Sequence, residues 1–118
     1  MDMASSLVIA IVAILHVYFL ILEMFLWTKP LGLKAFRQTL ESAEATKVLA
    51  ANQGLYNGFL AAGLLWGLTL GEHGYDIKVF FLSCVVVAGV YGAATASRAI
   101  LFIQALPAAI GLALLLFV

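Results

Sequence analysis

His16 and Glu23 are ionisable residues in a stretch where almost everything else is apolar. Between Ala4 and Trp27 the other positions are nearly all Leu, Ile, Val, Ala, Phe or Met. A charged side chain at the centre of an apolar membrane helix costs about 2.5–3.5 kcal/mol on insertion scales, so such groups face an interior or a water-filled cavity. A carboxyl and an imidazole sharing apolar surroundings are also suited to exchanging a proton with a ligand or substrate. Further polar residues recur in later apolar runs: Asn52, Gln53, Tyr56 and Asn57, then Tyr91, Thr95 and Arg98, then Gln104. Together with His16 and Glu23 these are the candidate cavity-lining and ligand-binding residues.

Spacing says which of them can meet. His16 and Glu23 are two helical turns apart on nearly one face, about 10.5 Å along the axis, too far for a direct hydrogen bond. Taking Trp27 as an interface anchor, Glu23 lies about 6 Å deep and His16 about 16 Å. Counted inward from Lys47, Asn52 and Gln53 lie about 8–9 Å deep and Asn57 about 15 Å. Thr95 and Tyr91 lie about 5 and 10 Å inward of Arg98, and Gln104 about 6 Å inward of Ile100. By depth, Gln53 or Asn52 suits Glu23, and Asn57 suits His16. Glu23 with Arg98 is an alternative ion pair, and interhelical amide and hydroxyl contacts are an alternative, purely structural use of the set. Confinement to one half of the membrane favours a cavity.

The elements that must position these residues follow from composition. The chain has 118 residues, 65% hydrophobic and 10% charged, with a mean hydropathy of +1.15. So small a soluble domain cannot bury that much apolar surface, so a bilayer is the expected solvent. Apolar runs at 4–27, 47–70, 77–97 and 100–118 are each near the roughly 20 residues a spanning helix needs. The expected fold is all-α: one domain over residues 1–118, an integral membrane four-helix bundle. The first run lacks a basic n-region and a small-x-small cleavage site, so it reads as a retained helix rather than a signal peptide.

Lys29, Lys34, Arg37 and Lys47 follow the first run, Arg98 follows the third, and Lys78 lies with Glu72, His73 and Asp76 on the other side. The positive-inside rule then places both termini outside, in a multi-pass protein of the bacterial inner membrane. Leu33, Phe36 and Leu40 at helical spacing, with Lys34, Arg37 and Glu41 between them, predict a short amphipathic interfacial helix in the first cytoplasmic loop. Small residues four apart, at Gly54 and Gly58, at Gly63, Gly67 and Gly71, and at Gly89, Ala93 and Ser97, suit close helix approach. They also suggest a homo-oligomer, a dimer first. Pro107 removes a donor and frees the carbonyl of Ile103 beside Gln104.

The segments Glu23-Met24-Phe25-Leu26-Trp27 and Asn52-Gln53-Gly54-Leu55-Tyr56-Asn57-Gly58, with His16 ahead of the first, resemble a family of small bacterial inner-membrane proteins catalogued as a domain of unknown function. The resemblance covers essentially the whole chain and implies four spans and a membrane location, but no activity.

No hydrolase triad, phosphate loop, haem-ligating pair or metal spacing is present, Cys84 is the single cysteine, and the net charge is zero. Cofactor, metal and nucleic-acid partner are therefore not expected, and an enzyme is disfavoured. The leading expectation is a membrane protein that binds a small hydrophobic or amphipathic molecule in a polar cavity of the cytoplasmic half. A small proton-coupled transporter acting as an oligomer, a membrane enzyme on a lipid-like substrate, and a structural or partner-binding bundle are the alternatives.

Overall fold

The structure, a computed structural model, describes residues 2–96 and 98–118. Ser97, which closes the third apolar run and one small-residue stripe, lies outside the described residues. Among these there are five α-helices and no strand: α1 (Met3–Met24), α2 (Pro30–Ala35), α3 (Leu40–Thr69), α4 (Tyr75–Thr95) and α5 (Leu106–Phe117). A 3-10 turn covers Gly71–Gly74 and a π-helical turn Leu101–Ala105.

The all-α class stands, but the four-spanning bundle does not. Among the described residues two helical stretches are long and apolar enough to cross a membrane, Met3–Met24 and Gly71–Thr95. The helix through the second apolar run has ample length, 30 residues. However, it begins at Leu40, and Asn52, Gln53 and Asn57 dilute its apolar character. The last apolar helix, Leu101–Phe117, is too short. Its start is widened into a π-helical turn, with Leu106 N–H bonded to the Leu101 carbonyl five residues back. Pro107 explains the widening, because it offers no N–H to Ile103 and its ring crowds that carbonyl. Large apolar side chains on both membrane-length helices point outward, including Leu7, Ile14, Phe80 and Val87, each more than 60% exposed. Exposed apolar surface of this kind is what membrane association requires.

The chain divides into two compact units, Met1–Ile14 with Leu60–Val118, and Leu15–Phe59. In the first, Asp2 caps α1 by accepting from Ala4 N–H at 3.2 Å. A fully buried cluster of Ile9, Val12, Ala13, Leu64, Leu82, Val85 and Ala108 forms its core. Close approach is set by missing side chains. A Cβ on Gly63 would lie 2.4 Å from the Phe81 ring, and one on Gly89 would lie 2.7 Å from the backbone nitrogen of Ala105. α3 ends in a left-handed glycine, Gly71 at φ +58°, the usual way to stop a helix without a Cβ clash.

Lys78 lies close in sequence to Glu72, His73 and Asp76, which are all exposed. It is fully buried, its stem packs beside Gly67, and its ammonium donates to the Gly71 carbonyl at 2.9 Å. A cation just beyond the end of α3 complements the partial negative charge that collects at a helix C-terminus.

The second unit folds the end of α1, α2 and the start of α3 together. α2 begins with proline at its first position, where a missing N–H costs nothing. Its Gly32 has no room for a Cβ, which would sit 1.9 Å from the Leu26 carbonyl oxygen. Leu40 belongs to α3, so the short helix is confined to six residues. α2 closes with Gln38 N–H bonding the Leu33 carbonyl at 3.0 Å and Arg37 N–H bonding that of Lys34 at 3.3 Å. This is a Schellman turn, and its left-handed position falls on Arg37, at φ +52°. A residue other than glycine pays about 1–2 kcal/mol for that conformation.

Candidate functional site

Glu23 is the centre of the second unit. It sits in the last turn of α1, where the helix dipole opposes negative charge, and it is 9% exposed. Its carboxyl oxygen accepts a hydrogen bond from the Asn57 side-chain amide of α3. Asn57 is buried too, at 6%.

The two helices run antiparallel past this pair. Leu20 faces Gly58, Glu23 and Met24 face Gly54, and Trp27 Nε1 donates to Thr46 Oγ1 at 3.2 Å. Gly54 allows the approach, since a Cβ there would meet Met24 Cγ at 2.6 Å and Glu23 Cβ at 3.1 Å. Backbone level alone therefore sets Glu23 opposite Gly54, one turn short of Asn57. Side chains on a helix lean toward its N-terminus. In an antiparallel pair Glu23 leans toward Leu20 and Asn57 leans back toward Gly54, so their polar ends meet. Depth counted on backbone positions assigns Asn57 to His16 instead, because it leaves out this lean and because α1 stops at Met24, so a helical rise counted from Trp27 misplaces Glu23.

His16 is fully buried and its ring meets the Phe19 ring edge-on at 5.3 Å. Asn52 is exposed and donates to the Tyr56 hydroxyl on its own helix at 3.2 Å; Tyr56 and Gln53 are exposed as well. Of the six sequence candidates in this unit, the structure joins Glu23 with Asn57 and points Asn52, Gln53 and Tyr56 outward. Tyr91, Thr95, Arg98 and Gln104 belong to the other unit. There Tyr91 is 69% exposed, Thr95 donates to the Tyr91 carbonyl at 2.8 Å, Arg98 is exposed, and Gln104 is half-buried within the π-helical turn.

Beside the Glu23–Asn57 contact lies an open hollow of about 370 Å3, lined by Glu23, Met24, Phe25, Trp27, Thr28, Lys47, Val48 and Ala51. Its walls are mainly apolar. Glu23 lies within it, and Lys47 also lines it, with its ammonium held by Glu44 at 3.1 Å. Sequence reasoning overlooks the lining residues Met24, Phe25, Thr28, Val48 and Ala51. The polar ones could be found by their cost in an apolar run, but apolar wall residues carry no such mark. An acid among apolar walls can hold the polar end of an amphipathic molecule while the walls take its apolar part.

Comparison with known proteins adds a family but no chemistry. A family model described as "Protein of unknown function (DUF1304)" matches residues 10–116. That match includes both Glu23 and Asn57. The chain is 26% identical over 106 residues to the "Uncharacterized protein YpaA" of Lactococcus lactis subsp. lactis (strain IL1403), an alignment covering 88% of this chain and 89% of the relative. No solved structure matches. The resemblance to a family of unknown function is thus upheld, while its implied four-helix form is corrected to five helices among the described residues, two of them of membrane length. The chain belongs to the DUF1304 family of proteins of unknown function.

Proposed function

We propose that this protein sits in a bilayer and binds a small amphipathic molecule in the hollow beside Glu23. The observation that carries the proposal is a buried acid, held by Asn57, that also forms part of an open, largely apolar hollow. Glu23, positioned by Asn57, holds the polar end, and Phe25, Trp27 and Val48 pack against the apolar part. The cation-rich segment from Lys29 to Lys47 faces the cytoplasm under the positive-inside rule. A homodimer is not part of this proposal, because the chain's own atoms occupy the space a Cβ would need at Gly54, Gly63 and Gly89.

The test is mass spectrometry of molecules retained by protein purified in mild detergent, followed by thermal unfolding with and without the recovered compound. The expected result is a bound amphiphile that raises the melting temperature of the wild type. Glu23→Gln and Val48→Asp should lose that rise while still folding. A rise that survives both substitutions would place the ligand elsewhere and overturn the proposal.

One observation favours a second function. The Glu23–Asn57 contact can act purely as a clamp between α1 and α3, since membrane hydrogen bonds of this kind contribute about 0.6 kcal/mol on average. In that case no compound is retained by the wild type.

A further inference from the structure

The corner formed by the end of α1, α2 and the start of α3 carries cations that the hollow does not use. Residues 29–39 contain Lys29, Lys34 and Arg37 and no acid, and all three side chains are exposed. Large apolar side chains outside the hollow stand out beside them: Leu31 is 50% exposed and Phe36 40%. Three features hold this surface in one arrangement. Gly32 sits against the Leu26 carbonyl, the Trp27 and Phe36 rings pack at 4.8 Å, and the Schellman turn closes α2.

Arg37 adds an independent clue. It occupies the left-handed position of that turn, at φ +52°, where glycine would be unstrained. Strain at such a site points to a use for the side chain rather than for the backbone.

We propose that this corner docks onto an anionic phospholipid surface. Exposed apolar side chains enter the boundary between headgroups and acyl chains. Lysine and arginine stems lie along that boundary with their charged ends among the phosphates. Charge complementarity sets the choice of partner: Lys29, Lys34, Arg37 and Lys47 outnumber the corner's two acids, Glu41 and Glu44, and Glu44 is already paired with Lys47, so the net positive corner fits an anionic headgroup layer, whereas a zwitterionic layer offers no net attraction. The proposal does not depend on the Glu23 hollow.

Full-length protein in detergent micelles is titrated with phosphatidylglycerol and, separately, with phosphatidylcholine, and bound lipid is counted by native mass spectrometry. The wild type should prefer phosphatidylglycerol, with the preference falling about fivefold for each cation removed. K29Q/K34Q/R37Q should bind both lipids alike. R37G should raise the melting temperature yet weaken the preference, a pairing that a structural role for the arginine does not produce. E23Q should keep the preference, which separates this result from the fate of the amphiphile site. Equal binding of both lipids by the wild type, or an undiminished preference in the triple variant, would overturn the proposal. So would competition by inorganic phosphate at equal concentration, which would assign the cations to a free anion.

Discussion

The two units are held together in different ways. In the unit of residues 1–14 and 60–118, Ile9, Leu64, Leu82 and Val85 fill space completely, and Gly63 and Gly89 let a ring and a backbone come close. In the unit of residues 15–59, specificity rests on polar pairs, Glu23 with Asn57 and Trp27 with Thr46. Apolar groups gain little by meeting one another in lipid, so shape and close approach have to do the work there. A polar pair is directional. It selects one register of α1 against α3, and it leaves one acid beside an open hollow.

The contrast can be broken by substitution, read as thermal or denaturant unfolding in detergent. Leu82→Ala empties a site with no exposed surface and should cost the most, about 2–5 kcal/mol. Little change there would show that the first unit is not close-packed. Next comes Gly89→Ala, expected to cost about 1–3 kcal/mol because its Cβ meets the backbone of Ala105 at 2.7 Å. Gly54→Ala should cost less, since its nearest obstacle is the flexible Met24 side chain. A reversed order would mean that α1 and α3 are the more rigid contact.

Asn57→Ala should cost up to about 1.7 kcal/mol, the upper end for membrane hydrogen bonds. Combined with Glu23→Ala it should be clearly non-additive, as residues in direct contact are. Additivity would deny the pair its role. The smallest effect has the opposite sign: Arg37→Gly should stabilise by about 1 kcal/mol through relief of the left-handed strain. A loss of stability would mean that the guanidinium has a structural partner.

Much of this is legible in the chain itself. The helical class, the start of α1 and the need of Glu23 and Asn57 for polar company follow from apolar runs interrupted by costly groups, whereas the run to Trp27 overshoots the end of α1 at Met24. The freed carbonyl of Ile103 follows from the missing N–H of Pro107, but the π-helical turn that results does not. Less visible is the length of α3, because Leu40 and the charged residues after it resemble a surface segment. The burial of Lys78 is hidden for a similar reason. Glu72, His73 and Asp76 precede it in sequence and group it with loop charges, whereas its stem lies beside Gly67 and its ammonium reaches the Gly71 carbonyl.

The sequence by itself determined that Glu23 must find a polar partner, since an acid in an apolar run is too costly to leave alone. Tertiary structure alone decided that the partner is Asn57, that Gly54 and Gly58 serve contact within the chain, and that a hollow opens beside the pair. The physical reason is that a hydrogen bond depends on where side-chain ends point. That direction is set by the antiparallel run of α1 and α3 and the lean of each side chain, which residue spacing along one helix does not record.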